Sequence, residues 1–150
     1  MRVVIQRVLE SSVTVDGSCI ASIGPGMMIL CGFEPADGEE DLAWIARKVA
    51  GLRIFDDADG VMNLPVTAVG GDVLVVSQFT LMASTRKGNR PSYVAAAGPD
   101  IAIPLYERFK ALLSAETGKS VQCGRFGAEM KVALVNDGPV TICIDSKNRQ

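Results

Sequence analysis

No histidine occurs in these 150 residues. That absence removes the Ser-His-Asp and Cys-His arrangements of nucleophilic catalysis, the commonest zinc ligand and the usual general base near neutral pH. Any chemistry must use other groups or borrow them from the substrate. Cys19, Cys31, Cys123 and Cys143 show no CxxC spacing, which argues against a disulfide framework or a zinc knuckle. Each sits among apolar neighbours, as in MMILCGF, where a free thiol behaves as a small hydrophobe. Neither a metal nor a cofactor is expected. No apolar run reaches the roughly 18 residues that a membrane-spanning helix needs. Arg2, Arg7 and Glu10 interrupt the opening MRVVIQRVLE where a signal peptide would carry its apolar core. The expected compartment is therefore the cytoplasm, with no membrane partner.

What is present is globular: 48% of residues are hydrophobic and 21% charged. One domain spanning residues 1–150 is the natural reading of this length, and such a chain buries about 68–70% of its unfolded surface without staples. The net charge of −2 makes the whole molecule no electrostatic magnet for nucleic acid, and DNA is not an expected partner. One segment, Ser84 to Arg90, is locally basic through Arg86, Lys87 and Arg90. It reads either as a solvated loop or as a set of phosphate contacts.

The order of elements predicts an α+β fold, a mostly antiparallel sheet or barrel with two helices packed on one face. Val3 to Val8 and Ser12 to Val15 read as strands, and Asp16-Gly17 before Ser18–Ile23 is a strong hairpin signal. Met27 to Phe33 is a near-continuous apolar strand, expected at the centre. Between Glu39 and Leu52 the period becomes helical, with Leu42, Ile45, Ala46, Val49 and Leu52 on one face and acidic residues in the first turn. Arg53 to Phe55 and Asp72 to Phe79 are further strands. A second helix is predicted over Pro99 to Thr117, with Leu105, Phe109, Leu112 and Leu113 as its apolar stripe and Gly118 as its cap. Ala128 to Val135 and Val140 to Ile144 then read as two strands joined by a turn at Asn136-Asp137-Gly138-Pro139.

Two stretches depart from generic sheet. In Ser77-Gln78-Phe79-Thr80-Leu81, polar residues follow a buried run. They either cap their own strand end or project side chains and backbone N–H groups into a cleft. Asn136-Asp137-Gly138-Pro139-Val140-Thr141 suits a plain turn, and composition alone gives no ground for a cis bond there.

Taken together, these stretches resemble the D-aminoacyl-tRNA deacylase (D-tyrosyl-tRNA deacylase) family. MRVVIQRV, SVTVDG, RIF with its acidic turn, MNL, VLVVSQFTL, RPSY, GRFGAEM and VNDGPVT match in order along the chain; Tyr93 stands where a Phe is usual. The resemblance implies a homodimer with active sites at the subunit interface. It implies a cis peptide at Gly138-Pro139, inserted into the partner's pocket against Ser77, Gln78, Phe79 and Thr80 and held by Arg7. It carries Phe126 and Met130 over as contacts for the terminal adenosine of tRNA, although periodicity alone favours core packing for both. The implied substrate is the tRNA acceptor end carrying a D-amino acid or glycine, as on a tRNA-Ala mischarged with glycine. The implied chemistry is ester hydrolysis, with oxyanion donors near Phe79 and Thr80 and the substrate's own 2′-OH activating water. An editing module of the threonyl-tRNA synthetase type and a non-catalytic RNA-binding protein are the alternatives.

Overall fold

The computed structural model describes all 150 residues. Its chain order is β1 (Arg2–Val15), β2 (Ser18–Ile23), β3 (Gly26–Gly32), α1 (Glu39–Ala50), β4 (Phe55–Asp56), β5 (Met62–Leu64), β6 (Asp72–Ser77), α2 (Pro99–Thr117), β7 (Gln122–Cys123) and β8 (Lys131–Asp145). A single 3₁₀ turn, Phe79–Met82, follows β6. The Asp16-Gly17 hairpin forms as its residue types demand. Both residues take positive φ, 49° and 77°, the conformation whose twist matches the strands it joins.

β1 pairs antiparallel with β2, β3 and β8, whereas β3–β6 and β6–β7 are parallel. Parallel neighbours need a crossover, and α1 and α2 supply the two. Successive right-handed crossovers stepping the same way across a sheet put their helices on one face, as predicted. β2 curls back against β6 and β7, so the sheet is nearly closed.

This arrangement creates two cores. On the helix side, Val3, Ile5, Met27, Ile29, Val73 and Val75 meet Leu42, Ile45, Val49, Phe109 and Leu113. Inside the curl, Val8, Val13, Val15, Met28, Leu74 and Val76 pack together. β3 and β6 are thus covered on both sides, which is why Met27–Cys31 and Val73–Val76 read as unbroken apolar runs rather than alternating ones. Along β1, Val3 and Ile5 face the helices while Val13 and Val15 face the interior. A change of face between residues of the same parity requires an inserted residue, and the pairing with β8 is irregular between Gln6 and Glu10.

Three readings of the sequence need correction. The residues 3–8 and 12–15 form one strand. β8 is also continuous, and Asn136-Asp137-Gly138-Pro139 is not a hairpin turn. Both halves of β8 run alongside β1, with Val8 opposite Asn136 and Gln6 opposite Thr141, so the turn-forming residues make a bulge within one strand. On α2 the residues fully buried are Ala102, Tyr106, Phe109 and Leu113; Leu105 and Leu112 only flank them. Tyr106 can lie in the core because its hydroxyl donates to the Val75 carbonyl at 3.2 Å.

The N-terminus is tied to the segment just after β8. The Met1 ammonium pairs with Asp37, both fully buried, and donates to Ser146 Oγ at 2.9 Å.

Candidate active site

The parallel pair β3–β6 ends at the rung Cys31–Ser77, followed by one more bond, Gln78 N–H to the Cys31 carbonyl at 2.7 Å. Here the chain leaves the sheet, two residues earlier than the predicted strand end at Phe79. Clefts beyond the carboxyl ends of parallel strands are the usual ligand sites of such sheets. A cavity of about 300 Å³ opens at this point, walled by residues 31–33, 76–79, Ala97, Ala102 and a segment from Phe126 to Val132.

Gly32 permits the geometry. A Cβ there would stand 2.8 Å from the Gln78 carbonyl oxygen and 3.2 Å from Leu81 Cβ. No side chain fits without displacing the turn. The turn is held from outside by Arg2, whose guanidinium donates to the Leu81 carbonyl at 2.7 Å.

Of the sequence-predicted residues, Ser77, Gln78, Phe79, Phe126 and Met130 all line this cavity. Thr80 does not line it, and its hydroxyl accepts a hydrogen bond from the Gln78 side-chain amide. Phe79 and Thr80 open the 3₁₀ turn, where the leading N–H groups of a helix have no acceptor within it. Phe126 and Met130 serve as wall and as packing at once. The Phe126 ring lies 5.8 Å from that of Tyr106, and Met130 Sδ fills the space over Gly124, 2.6 Å from where a Cβ would be.

The cavity holds only one ionisable side chain, Cys31. Burial pushes its thiol well above the ordinary range, only partly offset by the Lys110 charge. It is a neutral thiol that donates to the Val76 carbonyl. No carboxylate, imidazole or thiolate faces the space, so the walls offer shape, amides and backbone N–H groups, but no general base.

Gly138, Pro139 and Arg7 lie elsewhere. The Gly138–Pro139 bond is cis and Gly138 has φ of +122°; both residues are exposed and neither lines the cavity of its own chain. Asn136 spans the bulge, accepting from Val140 N–H at 2.9 Å and donating to Thr141 Oγ1 at 3.1 Å. Arg7, 8% exposed, sits behind the bulge. It donates to the carbonyls of Asp137 at 3.2 Å and Ile54 at 2.7 Å and pairs with Asp137 and Asp56. Arg86, Lys87 and Arg90 ride on an exposed loop closed by reciprocal Ser84–Ser92 backbone bonds of 2.8 and 2.9 Å.

Sequence reasoning passed over Gly32, Ala97, Ala102 and Arg2. Only Gly32 left a trace, as the sole glycine between apolar residues in ILCGF.

Residues 4–145 match the model of a family described as D-Tyr-tRNA(Tyr) deacylase. The chain belongs to that family. Proteins called D-aminoacyl-tRNA deacylase in Bacteroides thetaiotaomicron, Porphyromonas gingivalis and Akkermansia muciniphila are 59%, 61% and 59% identical to it over the full length of both chains. Among solved structures, one called c-Myc DNA Unwinding Element Binding Protein is similar at 37% identity, with a TM-score of 0.91 over 97% of this chain and 98% of that one. A second, described as a probable eukaryotic D-amino acid tRNA deacylase, shares the fold at TM-score 0.80 and 19% identity, over 95% and 97% of the two chains. For a deacylase family, a cavity free of basic side chains poses a definite chemical problem: where the ester's attacking water loses its proton.

Proposed function

We propose that this chain is a cytoplasmic editing hydrolase that cleaves the ester between a D-amino acid and the terminal ribose of tRNA, without a metal or cofactor. The observation that carries the mechanism is the cavity whose one ionisable wall group is a protonated thiol. Water then attacks the ester carbonyl while the substrate's own 2′-OH relays the proton, accepting it from the water as it passes its own to the departing 3′ oxygen. The carbonyl–O3′ bond breaks and the ribose leaves as a neutral diol. Backbone N–H groups at Phe79 and Thr80 receive the developing oxyanion, a contribution of about 2.7–4 kcal/mol in comparable sites. Gln78 holds Thr80 in a supporting position, and Ser77 borders the bound amino acid. Phe126 and Met130 contact the terminal adenosine.

The active unit is a homodimer. β8 is 15 residues long and pairs on one side only, with β1. It also exposes Val132 and Val135. A long edge of this kind is a template for another chain. In the dimer, the Gly138-Pro139 segment of the partner, braced by Arg7, completes the cavity opposite Ser77–Thr80. Its carbonyls occupy the space an L side chain would need, so selection works by exclusion. Glycine, having no side chain to reject, is also cleared, including from tRNA-Ala. Arg86, Lys87 and Arg90 meet phosphates.

Single-turnover deacylation of D-tyrosyl-tRNA by Thr80→Ala tests the chemistry. Retention of the chemical step within about tenfold is expected, with near-total loss on a terminal 2′-deoxyadenosine substrate. Abolition by Thr80→Ala would make the hydroxyl a nucleophile and overturn the 2′-OH route. Equal hydrolysis of L- and D-tyrosyl-tRNA would overturn the role of Gly138-Pro139.

A further inference from the structure

We propose that Tyr93, together with Phe79, forms a stacking platform for the unpaired base that precedes the terminal adenosine of the tRNA. This rests on the tRNA-hydrolase reading above. Phe79 is 56% exposed and Tyr93 39% exposed, yet their rings are held edge to face, 5.1 Å apart at 70°. Two aromatic side chains fixed against each other at a cavity mouth, with faces that the chain itself leaves uncovered, are a costly use of apolar surface unless something covers them.

What covers them follows from the neighbours. Phe79 lines the cavity. Tyr93 is fixed to the lining residues Ala97 and Phe33 through the Ala96 N–H bond to its carbonyl at 3.0 Å and the Ala97–Phe33 bond at 2.9 Å. Just before it, the loop from Ser84 to Ser92 carries three cations and no carboxylate, in a chain of net charge −2. Arg86, Lys87 and Arg90 enter none of the chain's ion pairs. From the cavity along the chain contacts the order is pocket wall at Phe79, the Phe79–Tyr93 ring pair, and then the loop closed at Ser84–Ser92 that carries the unpaired charges. A single-stranded 3′ end presents the matching order of terminal nucleoside, next base and phosphodiester. Aromatic faces beside a positive track are how proteins hold unpaired nucleotides without reading their sequence. The platform is fixed before binding, so little ordering cost falls on the protein.

Two substrates separate this contact from the rest of the site: D-tyrosyl-tRNA and D-tyrosyl-adenosine, which lacks the preceding nucleotide. Tyr93→Ala is expected to lose about 5- to 150-fold in kcat/KM on the tRNA, the span of one base–aromatic stack, and to be unchanged on the nucleoside. Tyr93→Phe keeps wild-type behaviour on both, while Tyr93→Leu, which preserves apolar bulk, behaves as Tyr93→Ala. Deacylated tRNA with 2-aminopurine as its penultimate base is expected to be quenched by wild type and Tyr93→Phe only. Equal losses on both substrates, or none on either, would overturn the platform; equal losses with a smaller elution size would place Tyr93 in the subunit contact instead. A wild-type protein inert on both substrates would be a failure of the hydrolase reading itself.

Discussion

Arg7 holds Asp137 twice through one nitrogen, Nε lying 3.2 Å from both its carbonyl and its carboxylate. The same guanidinium reaches back to the Ile54 carbonyl at 2.7 Å, so the bulge that presents Gly138 and Pro139 is clamped to the β4 region. A planar fork serves several acceptors at once where an ammonium is a single point charge. Arg7→Lys is therefore expected to reduce deacylation of D-tyrosyl-tRNA at least tenfold while keeping the fold. Arg7→Ala should add a stability loss of about 1–3 kcal/mol from the orphaned acceptors. Urea unfolding alongside single-turnover rates checks both; an Arg7→Lys protein with wild-type rate would show that the bulge needs no clamp.

Gly32 predicts a stronger effect than its size suggests. A methyl at this position meets the Gln78 carbonyl at 2.8 Å, backbone that cannot give way cheaply. Gly32→Ala should cost about 1–3 kcal/mol of stability and displace the Phe79–Thr80 amides, lowering the chemical step more than tRNA binding. Equal changes in the rate and in the affinity for deacylated tRNA would contradict that.

The neutral thiol of Cys31 gives a pH prediction. Because burial raises its pKa far above the ordinary range, no thiolate forms in the working pH range. The pH–rate profile should show no thiol inflection between about pH 7 and 9.5, the region of an unperturbed cysteine, and Cys31→Ala should leave its shape unchanged. Loss of a limb in the variant would make the sulfur a participant.

Much of this architecture was legible locally. The hairpin at Asp16-Gly17 and the helices at 39–50 and 99–117 follow from turn chemistry and a 3.6-residue period, both short-range signals. Asn136 to Pro139 suggest a turn in the sequence because the residues that close a turn also make a bulge. The choice was settled by β1, more than a hundred residues away in sequence, which holds both flanks in register. The cavity divides the same way: Ser77 and Gln78 stand out as polar residues after an apolar run, whereas Ala97 and Ala102 become wall only once α2 packs against the sheet. Resemblance to the family named Phe126 and Met130; their spacing could not, since both also pack.

Salt dependence tests the basic loop separately from catalysis. Each phosphate contact releases about one counterion, so charge-neutral replacement of Arg86, Lys87 or Arg90 should lower the slope of log Kd against log salt by about one per residue. An unchanged slope would leave them as solvated charges.

Acid stability should be governed in part by Asp41. Its carboxyl accepts from the Gly38 N–H at 3.0 Å and from Lys147 Nζ at 2.8 Å, joining the start of α1 to the end of the chain. Partial burial alone would raise its pKa, but the hydrogen bonds from Lys147, Ser146 and the Gly38 amide outweigh it and lower the group from 3.8 to about 2. A carboxyl more acidic in the folded than in the unfolded state makes unfolding take up a proton between those values. Its stabilisation is complete above about pH 4 and disappears as pH falls through about 2. Asp41→Asn should accordingly lower Tm at neutral pH, while the gap to wild type narrows steadily from pH 4 to pH 2. Parallel melting curves across that interval would mean that the Lys147 bond contributes nothing to folding.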